Sequence, residues 1–263
     1  LAFRVYGNLN KTDADDSDIN LAHTDTASGS ALAAGREGVR NKDINALLSW
    51  ALDDQQTLDF ETGFSRQGNI YTGDVGTGGT DSQTPGSTIN QWLGRETNTM
   101  YRQNFSVTHR GDWAFGTSRV LAQYEKTRNN RLQEGQTGAV DGDISANADK
   151  STSTYDSYLL QGELNIPLQV LLPQTLTLGA EWNRQELDDP STFDRAVGTT
   201  LPNSALGARS SYMDATIMAL FMEDNIELSP KWFLTPGLRL DHHDQFGANW
   251  SPSLNSSYML TDD

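Results

Sequence analysis

The sequence predicts an all-β chain: about ten antiparallel strands in meander order, forming part of a transmembrane β-barrel. Three observations carry this. Polar and apolar residues alternate with period two in segment after segment. The segments run roughly 9–14 residues, longer than the ~5–6 of ordinary globular strands. Short and long connections mostly alternate along the chain, as they do when a barrel turns its tight turns to one side of a membrane and its long loops to the other.

The elements follow in order. "LAFRVYGNLN" (1–10) begins in mid-pattern and Leu1 is not an initiator Met, so the chain reads as a piece of something longer. A long polar connection covers 12–41, and the first short turn is "DDQQ" (53–56). "QTLDFETGF" then sets Leu58, Phe60, Thr62 and Phe64 against Thr57, Asp59 and Glu61. A second long connection covers 67–99, a short turn "GDWAFG" covers 111–116, and a third long connection covers 129–154. "SYLLQGELNI" sets Tyr158, Leu160, Gly162, Leu164 and Ile166 against Leu159, Gln161, Glu163 and Asn165. After the turn "PLQVLLP" (167–173), "TLTLGAEWN" sets Leu176, Leu178, Ala180 and Trp182 against Thr175, Thr177, Glu181 and Asn183. The fourth long connection is 187–211. "MALFM" (218–222) is strand-sized, "SPK" (229–231) is a turn, and "FLTPGLRLD" sets Leu234, Pro236, Leu238 and Leu240 against Thr235, Arg239 and Asp241. The connection near 245–249 is short where a long one is due, and the closing "LTDD" reads as another short turn.

Alternation assigns faces. Leu58, Phe60, Leu160, Leu164, Leu176, Leu178, Leu238 and Leu240 are expected to meet lipid, and Asp59, Glu163, Glu181 and Arg239 a wet lumen. Asp59, Glu61, Glu163, Glu181 and Glu227 would each be costly if buried unpaired in a sandwich core. A lumen also reconciles a membrane barrel with a mean hydropathy of −0.57, since only one side of each strand meets lipid. Aromatics near strand ends (Trp50, Tyr101, Trp113, Tyr155, Tyr158, Trp182, Tyr212, Trp232, Trp250, Tyr258) suit the membrane–water interface. They could also fill a sandwich core, but strand length and loop alternation favour the barrel.

Composition excludes several classes. With no cysteine there is no disulfide, thiolate metal site or Cys nucleophile. No apolar run approaches the roughly 20 residues of a membrane-spanning helix, and no signal peptide is visible at the start. With 19 Lys+Arg against 35 Asp+Glu, the formal charge is −16. That argues against nucleic acid, which needs a basic footprint, and against simple adsorption to anionic lipid. "DHHD" (241–244) hints at metal, but His242 and His243 on a strand point to opposite faces and a third ligand is lacking. "DADDSD" (13–18) has Asp18 where a calcium loop needs Gly. "GTGG" (76–79) lacks the Lys–Ser/Thr of a phosphate loop, and "GFSRQG" lacks the spacing of a nucleophile elbow.

"LTPGLRLDHHDQFGANWSPSLN" (234–255) resembles a TonB-dependent outer-membrane receptor. More narrowly, "GREGVRNKDIN" (35–45), "FSRQGNIYTGD" (64–74), "ETNTMYRQNF" (96–105), "QYEKTRNNRLQEG" (123–135) and "TLTLGAEWN" (175–183) resemble ferric enterobactin receptors, in order and over nearly the whole chain. The resemblance implies a barrel of about 22 strands with a plug inside it. Residues 1–263 would then be part of the barrel domain, with plug, TonB box and closing C-terminal strands outside this chain. It further implies TonB-dependent uptake of a ferric catecholate siderophore across the bacterial outer membrane. The iron comes with the ligand and no cofactor of the protein's own is expected; nor is a catalytic step.

Which residues would meet such a ligand? A ferric tricatecholate is bulky, aromatic and anionic. Arginine suits it as a permanent cation and as a planar group that stacks on rings. "TRNNRLQEGQTG" (127–138) puts Arg128, Arg131 and Gln133 in a stretch with no apolar periodicity, read as outward loop. Arg66, Arg102, Tyr71 and Tyr124 fall near neighbouring strand tops. By resemblance, Tyr71, Arg102, Tyr124 and Arg131 match family positions that contact the ferric catecholate. Thr99 stands where a further arginine is expected, and 75–94 departs from a more aromatic loop. A single exposed arginine can equally be a surface ion pair worth ~0–1 kcal/mol. Two other function classes remain open: a passive porin-like channel and an outer-membrane barrel enzyme.

Overall fold

The computed structural model describes residues 1–12, 38–70, 96–132, 150–190 and 211–261. Ten strands form one sheet: β1 (Ala2–Thr12), β2 (Gly38–Ala51), β3 (Gln56–Ile70), β4 (Glu96–Trp113), β5 (Gly116–Leu132), β6 (Lys150–Gln169), β7 (Pro173–Asp188), β8 (Tyr212–Ser229), β9 (Trp232–His243) and β10 (Gly247–Tyr258). Sheet order equals chain order, and each described pairing is antiparallel. This is the predicted meander.

The strands run from 11 residues (β1) to 20 (β6), and the six from β3 to β8 are longer than expected. The extra length lies at the long-connection end. Residues 67–70, 96–99, 129–132 and 150–154 are paired strand where the sequence suggested loop. Asn, Thr, Ser and Arg give no apolar alternation there, yet the backbone still pairs with the neighbouring strands, Thr97 alone being skipped in the β3–β4 register. Arg128 and Arg131 therefore sit on β5 and not in a loop.

Cross-strand pairing fixes two faces. Trp50–Leu58–His109, Leu48–Phe60–Val107–Ala122–Leu160–Trp182–Met218 and Leu164–Leu178–Met222–Leu238 run as rows on one face. Ser49–Asp59–Thr108–Leu121–Gln161–Glu181–Ala219–Asp241 is a row on the other. All eight apolar residues expected on the lipid side share the first face, and Asp59, Glu163, Glu181 and Arg239 share the second. Leu160, Leu178, Met218, Leu220, Met222 and Leu238 are exposed on the apolar face. In a membrane barrel that face is the lipid side and the polar one the lumen.

On the polar face several charges are paired. Asp59, only 7% exposed, accepts from Ser49 Oγ at 2.6 Å and is ion-paired with Arg110. Arg239 donates to Asp241 at 2.8 Å and lies 3.7 Å from Glu181. Its guanidinium also stands over the Phe221 ring, 5.7 Å from the centroid. That ring lies against the bare α-carbon of Gly179 on the next strand.

Short turns close the opposite end. Asp53 Oδ1 caps the Gln55 N–H at 2.8 Å. Gly116 (φ +150), in the β4–β5 hairpin, takes a backbone conformation that favours glycine, as does Gly247 (φ +80) at the short β9–β10 connection of the other end. Trp113 and Trp232 donate their indole N–H to Ser118 (2.7 Å) and Ser256 (2.8 Å) across the apolar face. Not every aromatic marks an interface. Trp182 pairs with Leu160 and Met218, and Trp250 with Leu240, so both are flanked by aliphatic residues within the band.

Candidate functional site

The candidate site is the long-connection end of β3 to β6. Strand parity divides the candidates between two faces. Arg102 and Arg131 lie on the polar face. Arg102 pairs across with Ser65 and Thr127, is 57% exposed, and donates to Glu125 at 2.6 Å. Arg131 pairs across with Asn98 on β4 and Ser151 on β6, and is exposed. Thr127 and Arg131 are four positions apart, so the two arginine positions stand about 13 Å apart along the strands.

Buried polar atoms flank Arg131. Asn129 Oδ1 and Ser151 Oγ are both shielded from solvent, and neither makes a hydrogen bond to a described residue. Asn129 is two positions before Arg131, hence on the same face. Such atoms are costly to leave without a partner. These residues, with Asn98 and Glu125, were missed in the sequence because polar residues alternating with polar residues give no face signal.

Arg66, Tyr124 and Arg128 fall on the other face, above the apolar band. Arg66 donates to Glu96 through both terminal guanidinium nitrogens and stands over Tyr101, 5.7 Å from the ring centroid. Tyr124 lies in mid-β5 rather than at a strand top. Its ring is 5.1 Å from Tyr158, and its hydroxyl donates to Asp156 at 2.6 Å. Arg128 pairs across with Tyr101 and Thr154 and donates to Asn130 at 3.1 Å. Tyr71 and Gln133 lie outside the described residues. His242 and His243 do take opposite faces: His242 pairs with Met218, while His243 lies 3.1 Å from Asp244.

Comparison with known proteins decides the family. The model for "TonB dependent receptor-like, beta-barrel" matches residues 7–263. The chain belongs to this family. As a TonB-dependent receptor barrel, its place is the bacterial outer membrane. It is 54% identical to the ferric enterobactin receptor PirA of Pseudomonas aeruginosa, covering 99% of this chain and 35% of that protein. It is 44% identical to the ferrienterobactin receptor of Escherichia coli, covering 100% of this chain and 36% of that one. This barrel segment therefore spans about a third of the length of the curated relatives it matches.

Solved structures agree in fold. The ferric enterobactin receptor PfeA of P. aeruginosa, carrying an arginine-to-alanine substitution and bound to enterobactin, matches at TM-score 0.83 and 52% identity, covering 99% of this chain and 37% of that one. A second form matches at TM-score 0.84 and 54% identity, with the same coverages. There an arginine and a glutamine two residues further on are both replaced by alanine.

Proposed function

We propose that this chain is the wall segment through which a TonB-dependent outer-membrane receptor meets a ferric catecholate siderophore of the enterobactin class. The observation that carries the reading is the placement of Arg131: on the polar face, at the long-connection end, beside two buried polar atoms without a described partner. A ligand descending the lumen meets that face. Arg131–Leu132–Gln133 is also the chain's one Arg-x-Gln. The spacing equals that of the arginine and glutamine replaced in the P. aeruginosa receptor.

In this reading Arg131 supplies a permanent charge and a planar surface for catecholate oxygens and rings. Gln133 and Tyr71, outside the described residues, are the further ligand candidates of the sequence, and Arg102 continues the cationic path below. Arg66, Tyr124 and Arg128 stand on the opposite face and are not needed for ligand contact. Energy arrives from TonB through the receptor's N-terminal part. No catalytic step is assigned, and the relatives described above are receptors. The lipid of the membrane covers the apolar face.

Uptake tests this. The full-length parent gene is expressed in cells lacking their own catecholate receptors, and radiolabelled ferric enterobactin is supplied with and without TonB. Uptake that needs TonB and falls with Arg131→Ala supports the reading. Uptake that proceeds without TonB makes the protein a passive channel. Conversion of the siderophore by purified protein makes it an enzyme.

A further inference from the structure

Above the apolar band, the outward face of β1, β2, β3 and β5 is basic. Lys11 pairs with Arg40, which pairs with Gly68. One step lower, Lys42 pairs with Arg66, Arg66 with Tyr101, and Tyr101 with Arg128. Five cations thus share one face over two steps of the ladder, in a chain of net charge −16. Glu96 is the carboxylate described among them; it binds Arg66 and lies within electrostatic reach of Arg40 and Lys42. Arg40, Lys42 and Arg128 are exposed, and none makes an ion pair with a described residue.

Like charges directly opposite on a ladder are unfavourable. Here Lys42 faces Arg66, and Lys11 faces Arg40. Glu96 answers Arg66, and an anion placed over Arg40 and Lys42, which make no ion pair with a described residue, would relieve the repulsion on their side. The patch also continues without a break into the apolar face: Ile44 lies beside Lys42, and Phe64 beneath Arg66 is 6.5 Å from Tyr101. Whatever binds here has anionic groups directly above apolar chains. The outer leaflet of the outer membrane offers that arrangement in lipopolysaccharide, whose glucosamine phosphates sit on top of its acyl chains. A siderophore in the lumen is screened from these residues by the sheet itself.

We propose that Lys11, Arg40, Lys42, Arg66 and Arg128 form a docking site for the phosphates of lipopolysaccharide, with Tyr101 at its base. The guanidinium groups of Arg40 and Arg128 bind phosphate oxygens in a fork, and the lysines add point charges. The acyl chains lie along Leu9, Ile44 and Phe64.

The test uses the purified full-length receptor in detergent, titrated with bisphosphorylated lipid A and with lipid A of the same acyl chains but no phosphate. Wild type binds the phosphorylated form more tightly by roughly ten- to a hundredfold. The variant Arg40→Gln/Lys42→Gln/Arg128→Gln loses that preference and keeps wild-type siderophore affinity. Arg131→Ala, on the opposite face, keeps the lipid preference. Unchanged heat-modifiable migration shows that each variant is folded. No preference in wild type overturns the proposal, as does a preference surviving the triple change or millimolar inorganic phosphate competing as well as lipid A. Failure here leaves the siderophore reading intact, since that rests on the other face.

Discussion

Arg128 and Arg131 stand three residues apart on β5 and face opposite sides of the sheet. Two cations close in sequence thus belong to two environments. In the full-length parent, Arg131→Ala is expected to weaken siderophore binding by about 1–3 kcal/mol, the range of a charge-assisted hydrogen bond. Arg128→Ala should change it by less than about 0.5 kcal/mol, as for a surface change away from the site. Arg131→Lys should recover only part of the loss, because lysine supplies charge without the planar fork. The Arg131 effect should shrink with salt, being screened over roughly 8–10 Å. Intrinsic tryptophan quenching at low and high salt measures all three. Equal losses for Arg128→Ala and Arg131→Ala would contradict the assignment of faces.

The Phe221 ring covers the bare α-carbon of Gly179, with Arg239 on the ring. A Cβ at Gly179 would occupy the ring's space. Gly179→Ala should therefore destabilise the full-length barrel by about 1–3 kcal/mol, as overpacking does. In Phe221→Ala the same change should be nearly neutral, so a double-mutant cycle on unfolding midpoints should show strong coupling. Additive effects would mean that the ring does not depend on the glycine.

Between β8 and β9 the ladder skips two rungs. Glu223 pairs with Gly237 and Ile226 with Leu234, but Asp224 and Asn225 have no partner on β9. Pro236 stands opposite Asp224 and offers no N–H. Hydrogen exchange in the full-length receptor should find the amides of Asp224 and Asn225 faster than those of Leu220 and Met222. Equal protection would show the seam to be closed.

β1 and β10 each pair with one described strand, and both are exposed along their whole length. In lipid, such edges leave backbone groups without partners, at several kcal/mol apiece. Residues 1–263 expressed alone should therefore not insert stably. A heat-modifiable, monomeric species of this length in detergent would refute this.

How much of this was legible in the sequence depends on depth. In mid-sheet, Leu58 and Phe60 against Asp59, or Leu176 and Leu178 against Glu181, contrast enough to assign strand and face. Nearer the long connections the contrast vanishes. "TRNNRL" reads as loop because neither of its faces is apolar, yet it is strand, since backbone pairing asks nothing of the side chains. Separating Arg102 and Arg131 from Arg66 and Arg128 needed the register, as parity counts only from a known strand. The stack of Gly179, Phe221 and Arg239 joins three strands, and no local pattern announces it.

Alternation also governs how this wall can change over evolution. One residue gained in β5 between Ala122 and Arg128 would carry the cation of the lumen out to the membrane and bring its neighbour in. Two residues gained would restore both. Length variants of such a strand should therefore differ by even numbers, unless something absorbs the odd residue. The irregularity between Asn69 and Ile70, where β3 slips against β4, is such a device. It absorbs one extra residue of β4, Thr97, at the end of the ladder, while everything beneath keeps its side.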